Sequence, residues 1–241
     1  MNNEPLVSIL INCYNGEKYV AEAIESAIAQ TYTNWEIIFW DNASTDRTPE
    51  IAKSYTDSRF KYFRGEVNIP LYSARNLAID KASGDFFAFL DSDDLWSANK
   101  LEIQMPLFDN PKTGLVYSDV YFLKNGENIR QLYKGRPYYI GSNFKELLTD
   151  YFLSLCSVVV RMECIKKYTK VFDDRFQIIG DADLFRRISF DGWEFDMIDK
   201  PLAKWRIHGD NLTFRESGKI ISENELFLKK FNEIHQGFST K

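Results

Sequence analysis

Three short turns rich in acids and amides could carry chemistry in the first hundred residues. They span residues 12–15, 41–46 and 91–94, each after an apolar run of strand length. Carboxylates repel a diphosphate, but a set such as Asp91-Ser92-Asp93 can hold a hard divalent cation that bridges to phosphate oxygens. Alternatively, Asp93 or Asp94 caps a helix that begins near Leu95. The tripeptide alone supports both interpretations equally.

Asp181 is the candidate for proton transfer. Spacings of three, four and seven residues relate it to Leu184, Phe185 and Ile188. If this segment is a helix, Asp181 therefore lies on its buried face, in the first turn. A partly buried aspartate has a raised pKa and can take a proton from a hydroxyl group. The alternative is an N-cap or first-turn acid that the helix dipole stabilises.

Asp183 is predicted to have no chemical role. It lies off the apolar stripe, and Arg186 and Arg187 follow it at i+3 and i+4. This spacing is typical of an ordinary surface ion pair on a helix.

The elements that must position these residues alternate between strand and helix. Strands are predicted at 6–12, 35–40, 59–64 and 85–90, and helices at 17–30, from 48 onward, and at 72–82. Alternating strands and helices predict an α/β fold with a mainly parallel, Rossmann-like central sheet flanked by helices. In such a sheet ligands bind at the carboxyl ends of the strands, which is where the three turns lie.

The second half of the chain is less regular. Strands are predicted at 114–123 and 158–160, an exposed excursion at 124–139 and a closing helix at 216–235. No composition shift marks a linker, so residues 1–241 are predicted to form a single domain.

Composition and missing motifs exclude several classes of protein. The 241 residues carry a net charge of −5, which disfavours nucleic acid as a partner. The longest apolar runs are too short for a transmembrane helix, and the first six residues lack the pattern of a signal peptide, so a cytoplasmic location is expected. Neither a GxGxxG fingerprint nor a P-loop is present. Three scattered cysteines without CxxC spacing are predicted to be buried apolar residues.

Several motifs, in order, resemble the family 2 glycosyltransferases of the GT-A fold. They are Pro5–Ile9, Asn12–Asn15, Trp40–Asp46, Ala74–Asn76, Gly84–Asp94, Gly180–Leu184 and Trp205–Asn211. The resemblance implies a nucleotide-sugar-binding half at about 5–110, an acceptor-side half at about 111–215 and a C-terminal helix at about 216–235.

The resemblance also assigns a donor site, in which a UDP-sugar is the expected ligand. Its residues are Asn12, Tyr14, Asp41, Arg75, Asp91 and Ser92. Asp41 would read the nucleobase and Arg75 would contact the nucleotide, whereas Asp91 would contact the ribose or a metal ion. Without the resemblance, Asp41 is an ordinary turn residue and Arg75 a solvated surface charge.

A divalent metal ion, Mn²⁺ or Mg²⁺, is the implied cofactor. Asp93 would ligate it, and His208 would approach the metal or the diphosphate. A single histidine is more often structural, so the role of His208 is the weaker of the two.

Asp181 would act as the base of an inverting transfer to an acceptor hydroxyl, as the resemblance implies. The acceptor would be a saccharide or a lipid-linked saccharide, as in the assembly of bacterial-type polysaccharides, glycolipids or glycans. A lipid-linked acceptor would bring the chain to the inner face of the membrane as a peripheral protein. No feature of the sequence specifies an oligomeric state.

One departure from the family pattern opens an alternative. The family usually has a glutamate before the catalytic aspartate, where this chain has Gly180. A catalytically degenerate nucleotide-sugar-binding subunit is therefore one alternative. A sugar nucleotidyltransferase is the other, although no triphosphate-binding loop rich in Gly, Arg and Lys supports it.

Overall fold

Strands and helices alternate along the first half of the chain, as predicted. The structure is a computed structural model that describes residues 4–132 and 139–234. The strands are β1 (Val7–Cys13), β2 (Trp35–Asp41), β3 (Phe60–Arg64), β4 (Phe86–Phe89), β5 (Leu95–Trp96), β6 (Thr113–Lys124), β7 (Glu127–Gln131), β8 (Val159–Arg161) and β9 (Glu194–Arg206). The helices are α1 (Val20–Ile28), α2 (Thr48–Lys53), α3 (Leu71–Ile79), α4 (Lys100–Gln104), α5 (Phe144–Thr149), α6 (Gly180–Phe190), α7 (Leu212–Arg215) and α8 (Lys219–Ile234).

All of these strands belong to one sheet, in the order β3-β2-β1-β4-β8-β6-β9-β5, with β7 paired to β6. Its first four strands are parallel, and β6 and β9 are also parallel. The strand β8 runs antiparallel to both β4 and β6 and thereby joins the two halves of the chain in one sheet. The predicted α/β fold is confirmed, and each antiparallel pair includes at least one strand from the second half of the chain.

The first strands are covered on both faces. Every residue of β1 and β2 is buried. Successive residues such as Ile37 and Ile38 belong to two different hydrophobic clusters, because neighbouring side chains in a strand point to opposite faces. The helix α1 packs into one cluster through Val20, Ala23 and Ile24, which belong to the predicted stripe.

The strand β9 was not predicted. It runs for 13 residues beside β6, and its pairing shifts register at Pro201, which lies opposite Asp119. Proline and the charged residues before it break the alternation that identifies a strand in sequence.

Two expectations about local structure were wrong. No helix begins near Leu95, because residues 95–96 form β5 against β9; Asp94 instead accepts a hydrogen bond from the backbone N–H of Arg206. Asp183 is not on the surface but fully buried, because α8 packs over it. Its partners are Arg187, at i+4 as predicted, and Lys230 of α8.

The closing helix is present as α8, which begins three residues later than expected. His235, at the end of the predicted helix, and residues 133–138 of the predicted excursion lie outside the described residues. In the part of the chain that the structure describes, no helix is long and apolar enough to cross a membrane.

Candidate active site

A cavity of about 860 Å³ lies at the carboxyl ends of the parallel strands. Lining residues at the end of β1, after β2 and β4, and in the segment 68–75 that leads into α3 form one wall, called here the strand-edge wall. The described lining residues from Val120 to Asn224 form the rest of the lining, called the far wall. The predicted site residues that line the cavity are Asn12, Tyr14, Arg75, Asp91, Ser92, Asp93 and Asp181. Residues from opposite ends of the chain therefore meet in one space, whereas Asp41 and His208 are not among its lining.

Arg75 is a buried cation of the strand-edge wall, so the interpretation as a solvated surface charge is wrong. It is 4% exposed, and its Nη2 lies 2.5 Å from Oδ1 of Asp91. The guanidinium also lies over the rings of Tyr72 and Phe172, at 5.5 and 5.8 Å from their centroids. This packing holds the Arg75–Asp91 pair in place on α3 and the turn after β4.

Asp41 is fully buried beside the cavity rather than in its wall. Its carboxylate accepts hydrogen bonds from Arg64 and Tyr62, both at 2.6 Å, and from the backbone N–H of Ser44 at 2.8 Å. Direct contact between this carboxylate and a ligand would require Arg64 or Tyr62 to move. Asn42, the next residue, does line the cavity and donates to the carbonyl oxygen of Ile69.

Asn12 presents a buried amide without a hydrogen-bond partner. Among the described residues, neither its Nδ2 nor its Oδ1 finds a partner, although both atoms are buried. A buried amide in this state costs free energy that a hydrogen-bonding ligand would recover. Tyr14, two residues later, is half-exposed at the rim.

Asp93 and His208 form the pair that could hold a cation. The imidazole Nε2 lies 2.8 Å from Oδ2 of Asp93, and Asn211 holds the histidine backbone N–H at 2.6 Å. Burial and the nearby Asp91 carboxylate raise the pKa of Asp93, and His208 opposes this shift. The local excess of negative charge is one that a cation would relieve.

The side chains around Asp93 fit the expected metal ion. Within residues 4–132 and 139–234, no group of three or more His, Cys, Asp or Glu side chains is placed to hold a metal. Magnesium-type sites use one or two carboxylates and take their other ligands from phosphates and water. Asp93, with His208 or Asp91 beside it, meets that requirement.

Asp181 belongs to the far wall of the cavity, in the first turn of α6. Its Oδ2 accepts a hydrogen bond from Tyr151 at 2.7 Å, and the Tyr72 hydroxyl lies 3.3 Å from Oδ1. Burial raises the pKa of Asp181, whereas the Tyr151 hydrogen bond and the charge of Arg75 lower it. Asp181 is partly buried and lines the cavity, so it points inward as predicted. Backbone N–H groups of Asp181 and Ala182, in the first turn of α6, also hydrogen-bond to the carboxylate and lower its pKa, as the first-turn alternative expects.

Gly180 leaves room for the ring of Tyr72. A Cβ at this position would lie 2.6 Å from Cε2 of Tyr72, which is closer than atoms can approach. The Tyr72 hydroxyl in turn donates to the carbonyl oxygen of Ile178 at 2.8 Å and reaches Asp181. Glycine at 180 therefore has a packing cause in this chain.

Sequence reasoning missed several residues of the site. They are Asn42, Tyr72, Tyr151 and Asn211. Asn42 and Asn211 belong to the family motifs Trp40–Asp46 and Trp205–Asn211 and could have been found there, whereas Tyr151 follows α5 in a segment without a readable pattern. The far wall also has an apolar part, which includes Phe122, Phe152, Leu153, Leu155 and Trp205; of these, Trp205 lies in a motif of the family resemblance.

Comparison with known proteins adds the family context. The model of glycosyl transferase family 2 matches residues 8–169, about two thirds of the chain. WfgD of Escherichia coli, a UDP-Glc:α-D-GlcNAc-diphosphoundecaprenol β-1,3-glucosyltransferase, is 40% identical over 120 residues. That match covers 50% of this chain and 47% of WfgD, so the chain matches about half the length of this relative.

Two solved structures share the fold. S. aureus TarS in complex with UDP-GlcNAc superposes with a TM-score of 0.68 at 21% identity, covering 85% of this chain and 59% of TarS. The mannosyltransferase PcManGT from Pyrobaculum calidifontis, in complex with GDP-Man and Mn²⁺, gives a TM-score of 0.67 at 17% identity, covering 89% and 60%. These likenesses confirm the predicted GT-A-type fold.

Proposed function

The chain belongs to glycosyl transferase family 2, and we propose that it transfers a sugar from a nucleotide-diphosphate sugar to an acceptor hydroxyl with inversion at the anomeric carbon. One observation carries this proposal. The acidic strand-edge residues and Asp181 line the same cavity of about 860 Å³. One cavity therefore contains both the groups that bind a charged donor and the carboxylate that acts as a base toward the acceptor.

The donor binds along the strand-edge wall. Asn12 offers an unpartnered amide, Tyr14 an exposed ring for stacking, and Arg75 a buried positive charge. Asp91 and Ser92 line the same wall and are suited to hydroxyl groups of the donor. A UDP-sugar is the expected donor, since WfgD uses UDP-Glc and TarS was crystallised with UDP-GlcNAc.

Asp41 supports the donor site from behind. We assign it to recognition of the nucleobase, with Arg64 and Tyr62 as the groups that must yield for direct contact. Its bond to the backbone of Ser44 also sets the turn from which Asn42 reaches the cavity.

Asp93, supported by His208, is proposed to hold Mn²⁺ or Mg²⁺. When bound, such an ion offsets the negative charge that develops on the leaving diphosphate.

Asp181 acts as the base. Its carboxylate takes the proton of the acceptor hydroxyl while the hydroxyl oxygen forms a bond to the anomeric carbon. The bond from that carbon to the diphosphate oxygen breaks, and the nucleoside diphosphate leaves with the electron pair. A single displacement inverts the configuration, and the raised pKa of Asp181 suits proton transfer.

The acceptor occupies the far wall. Aromatic residues such as Phe152 and Trp205 are suited to stacking on the faces of sugar rings. A saccharide or a lipid-linked saccharide is proposed, and the latter would bring the chain to a membrane surface. Gly180 was the feature that favoured a degenerate binding subunit, and the contact with Tyr72 supplies another cause for it.

The test measures nucleotide release with water as the acceptor, using UDP-glucose, UDP-GlcNAc and GDP-mannose with and without MnCl₂. We expect one base to be preferred. Asp181→Asn should lower release about 10²- to 10⁴-fold while leaving donor binding nearly intact. Asp174→Asn, which changes an exposed acid, is the control. Unchanged release in Asp181→Asn would refute the assignment of the base, and absence of nucleotide binding would refute the donor site.

A further inference from the structure

Arg186 is a buried cation of the far wall without a carboxylate partner. It lies on α6, is 5% exposed and lines the cavity. Its Nε donates to the carbonyl oxygen of Leu147 at 3.0 Å and its Nη1 to Oδ1 of Asn224 at 2.9 Å. Both acceptors are neutral. Arg75, the other arginine of the cavity, is by contrast paired with Asp91.

The guanidinium of Arg186 is held rigidly. It lies 4.7 Å from the centroid of the Phe227 ring. The amide of Asn224 donates to the carbonyl oxygen of Ile220, which turns its Oδ1 toward Arg186. Of the five N–H groups of a guanidinium, those on Nη2 have no hydrogen-bond partner among the described residues. A fixed donor that faces a cavity is already organised for a ligand.

Nearby acids form no direct ion pair with Arg186, and the charges of Asp181 and Asp183 offset only part of the effect of burial, which lowers the pKa of Arg186. Asp181 accepts its hydrogen bond from Tyr151, and Glu216, which also lines the far wall, is paired with Lys219 at 2.7 Å. Asp183 forms ion pairs with Arg187 and Lys230. Among these described residues, no carboxylate lies within ion-pair distance of Arg186. A buried charge in this state is unfavourable until a counter-charge arrives.

We propose that Arg186 binds an anionic group, a phosphate or a carboxylate, carried by the acceptor sugar. This inference rests on the proposed function, since it takes the far wall as the acceptor site. Arg186 follows Asp181 by five positions on α6, which is about 7.5 Å along the helix axis. The anionic group therefore lies on the sugar that presents its hydroxyl to Asp181, or on the unit next to it. Sugar phosphates and uronic acids are the two sources of such a group.

Calorimetric titration of the full chain, saturated with UDP and Mn²⁺, distinguishes these sources. The probes are GlcNAc 1-phosphate against GlcNAc, and glucuronate against glucose. We expect at least one anionic probe to bind about tenfold more tightly than its neutral partner. Arg186→Gln keeps a donor for Leu147 and should abolish this preference. Arg186→Lys keeps the charge but not the planar fork and should retain part of it. Arg215→Leu removes an exposed arginine from α7 and should change nothing.

Two results would overturn the proposal. One is equal binding of anionic and neutral probes by the unmodified chain. The other is an unchanged preference in Arg186→Gln. Thermal denaturation identifies variants that fail to fold. If Arg186→Gln is one of them, the preference of Arg186→Lys is compared with that of the unmodified chain instead. Failure of UDP to bind would refute the proposed function instead, and the same titrations without UDP would still report on Arg186.

Discussion

The Tyr151 hydroxyl donates a 2.7 Å hydrogen bond to Oδ2 of Asp181. The two residues lie on different elements, the segment after α5 and the start of α6. A hydrogen bond to the ionised carboxylate stabilises it and opposes the effect of burial on its pKa. Tyr151 therefore adjusts the pH at which Asp181 can act as a base.

Tyr151→Phe should shift the acidic limb of the pH profile of kcat/KM upward. The base works when ionised, so activity rises as the pH passes through the pKa of Asp181, and loss of the hydrogen bond raises that pKa. A bond to a charged group is worth roughly 1.5–3 kcal/mol, which corresponds to a shift of about one pH unit or more. Tyr55→Phe, which removes a distant hydroxyl, should leave the profile in place. An unmoved limb in Tyr151→Phe would show that Tyr151 does not adjust the base.

Gly180→Ala should destabilise the chain by about 1–3 kcal/mol, because the added methyl group collides with the buried ring of Tyr72. Urea denaturation measures this difference, and donor hydrolysis should fall as Tyr72 is displaced from Asp181. Gly218→Ala is the matched control, since a Cβ there meets nothing within 4 Å. Equal stability of the two variants would show that Tyr72 can move aside freely.

Asp93→Ala should remove the metal dependence of donor binding. In a thermal-shift assay, UDP should raise the apparent stability of the unmodified chain more with MnCl₂ than with EDTA, because a ligand of the folded state raises its stability. The variant should respond equally under both conditions. Full metal dependence in Asp93→Ala would mean that the ion is held elsewhere.

Lys100 makes stability depend on pH. Its ammonium is fully buried on α4, donates to Oε1 of Gln104 at 2.6 Å, and burial lowers its pKa to about 7. Between this value and about 10.4, the usual lysine pKa, the unfolded chain binds a proton that the folded chain does not. Stability should therefore rise with pH across this window, by up to about 1.4 kcal/mol per pH unit, and be lowest below pH 7.

Lys100→Met should flatten that rise and stabilise the chain at neutral pH, because a neutral side chain of similar length fills the same space. Urea denaturation at intervals from pH 7 to 10 provides the measurement. A slope that persists in the variant would assign the proton linkage to another group.

Local patterns predicted the structures that depend on local forces. The buried runs at β1, β2 and β4 and the stripe of α1 were legible because apolar periodicity follows directly from burial. Asp181 was placed correctly because its spacing to Leu184 and Ile188 is a property of one helix.

Residues whose surroundings come from distant segments were placed wrongly or missed. Asp183 was assigned to the surface, since nothing in α6 reveals that Lys230 and α8 cover it. Asp41 lies opposite Arg64 in the pairing of β2 with β3, and this strand register cannot be read from the sequence. Tyr151 reaches Asp181 from a loop without periodicity.

The strand order has a consequence for protein engineering. Because β8 pairs with β4, and β5 crosses to pair with β9, the first 110 residues do not separate cleanly from the rest. A fragment ending there would leave β4 with an open edge, and open edges promote aggregation. Exchanging acceptor specificity between relatives by swapping halves should therefore fail. Recombination points inside the far wall, which leave β8 and β9 with their native neighbours, should succeed.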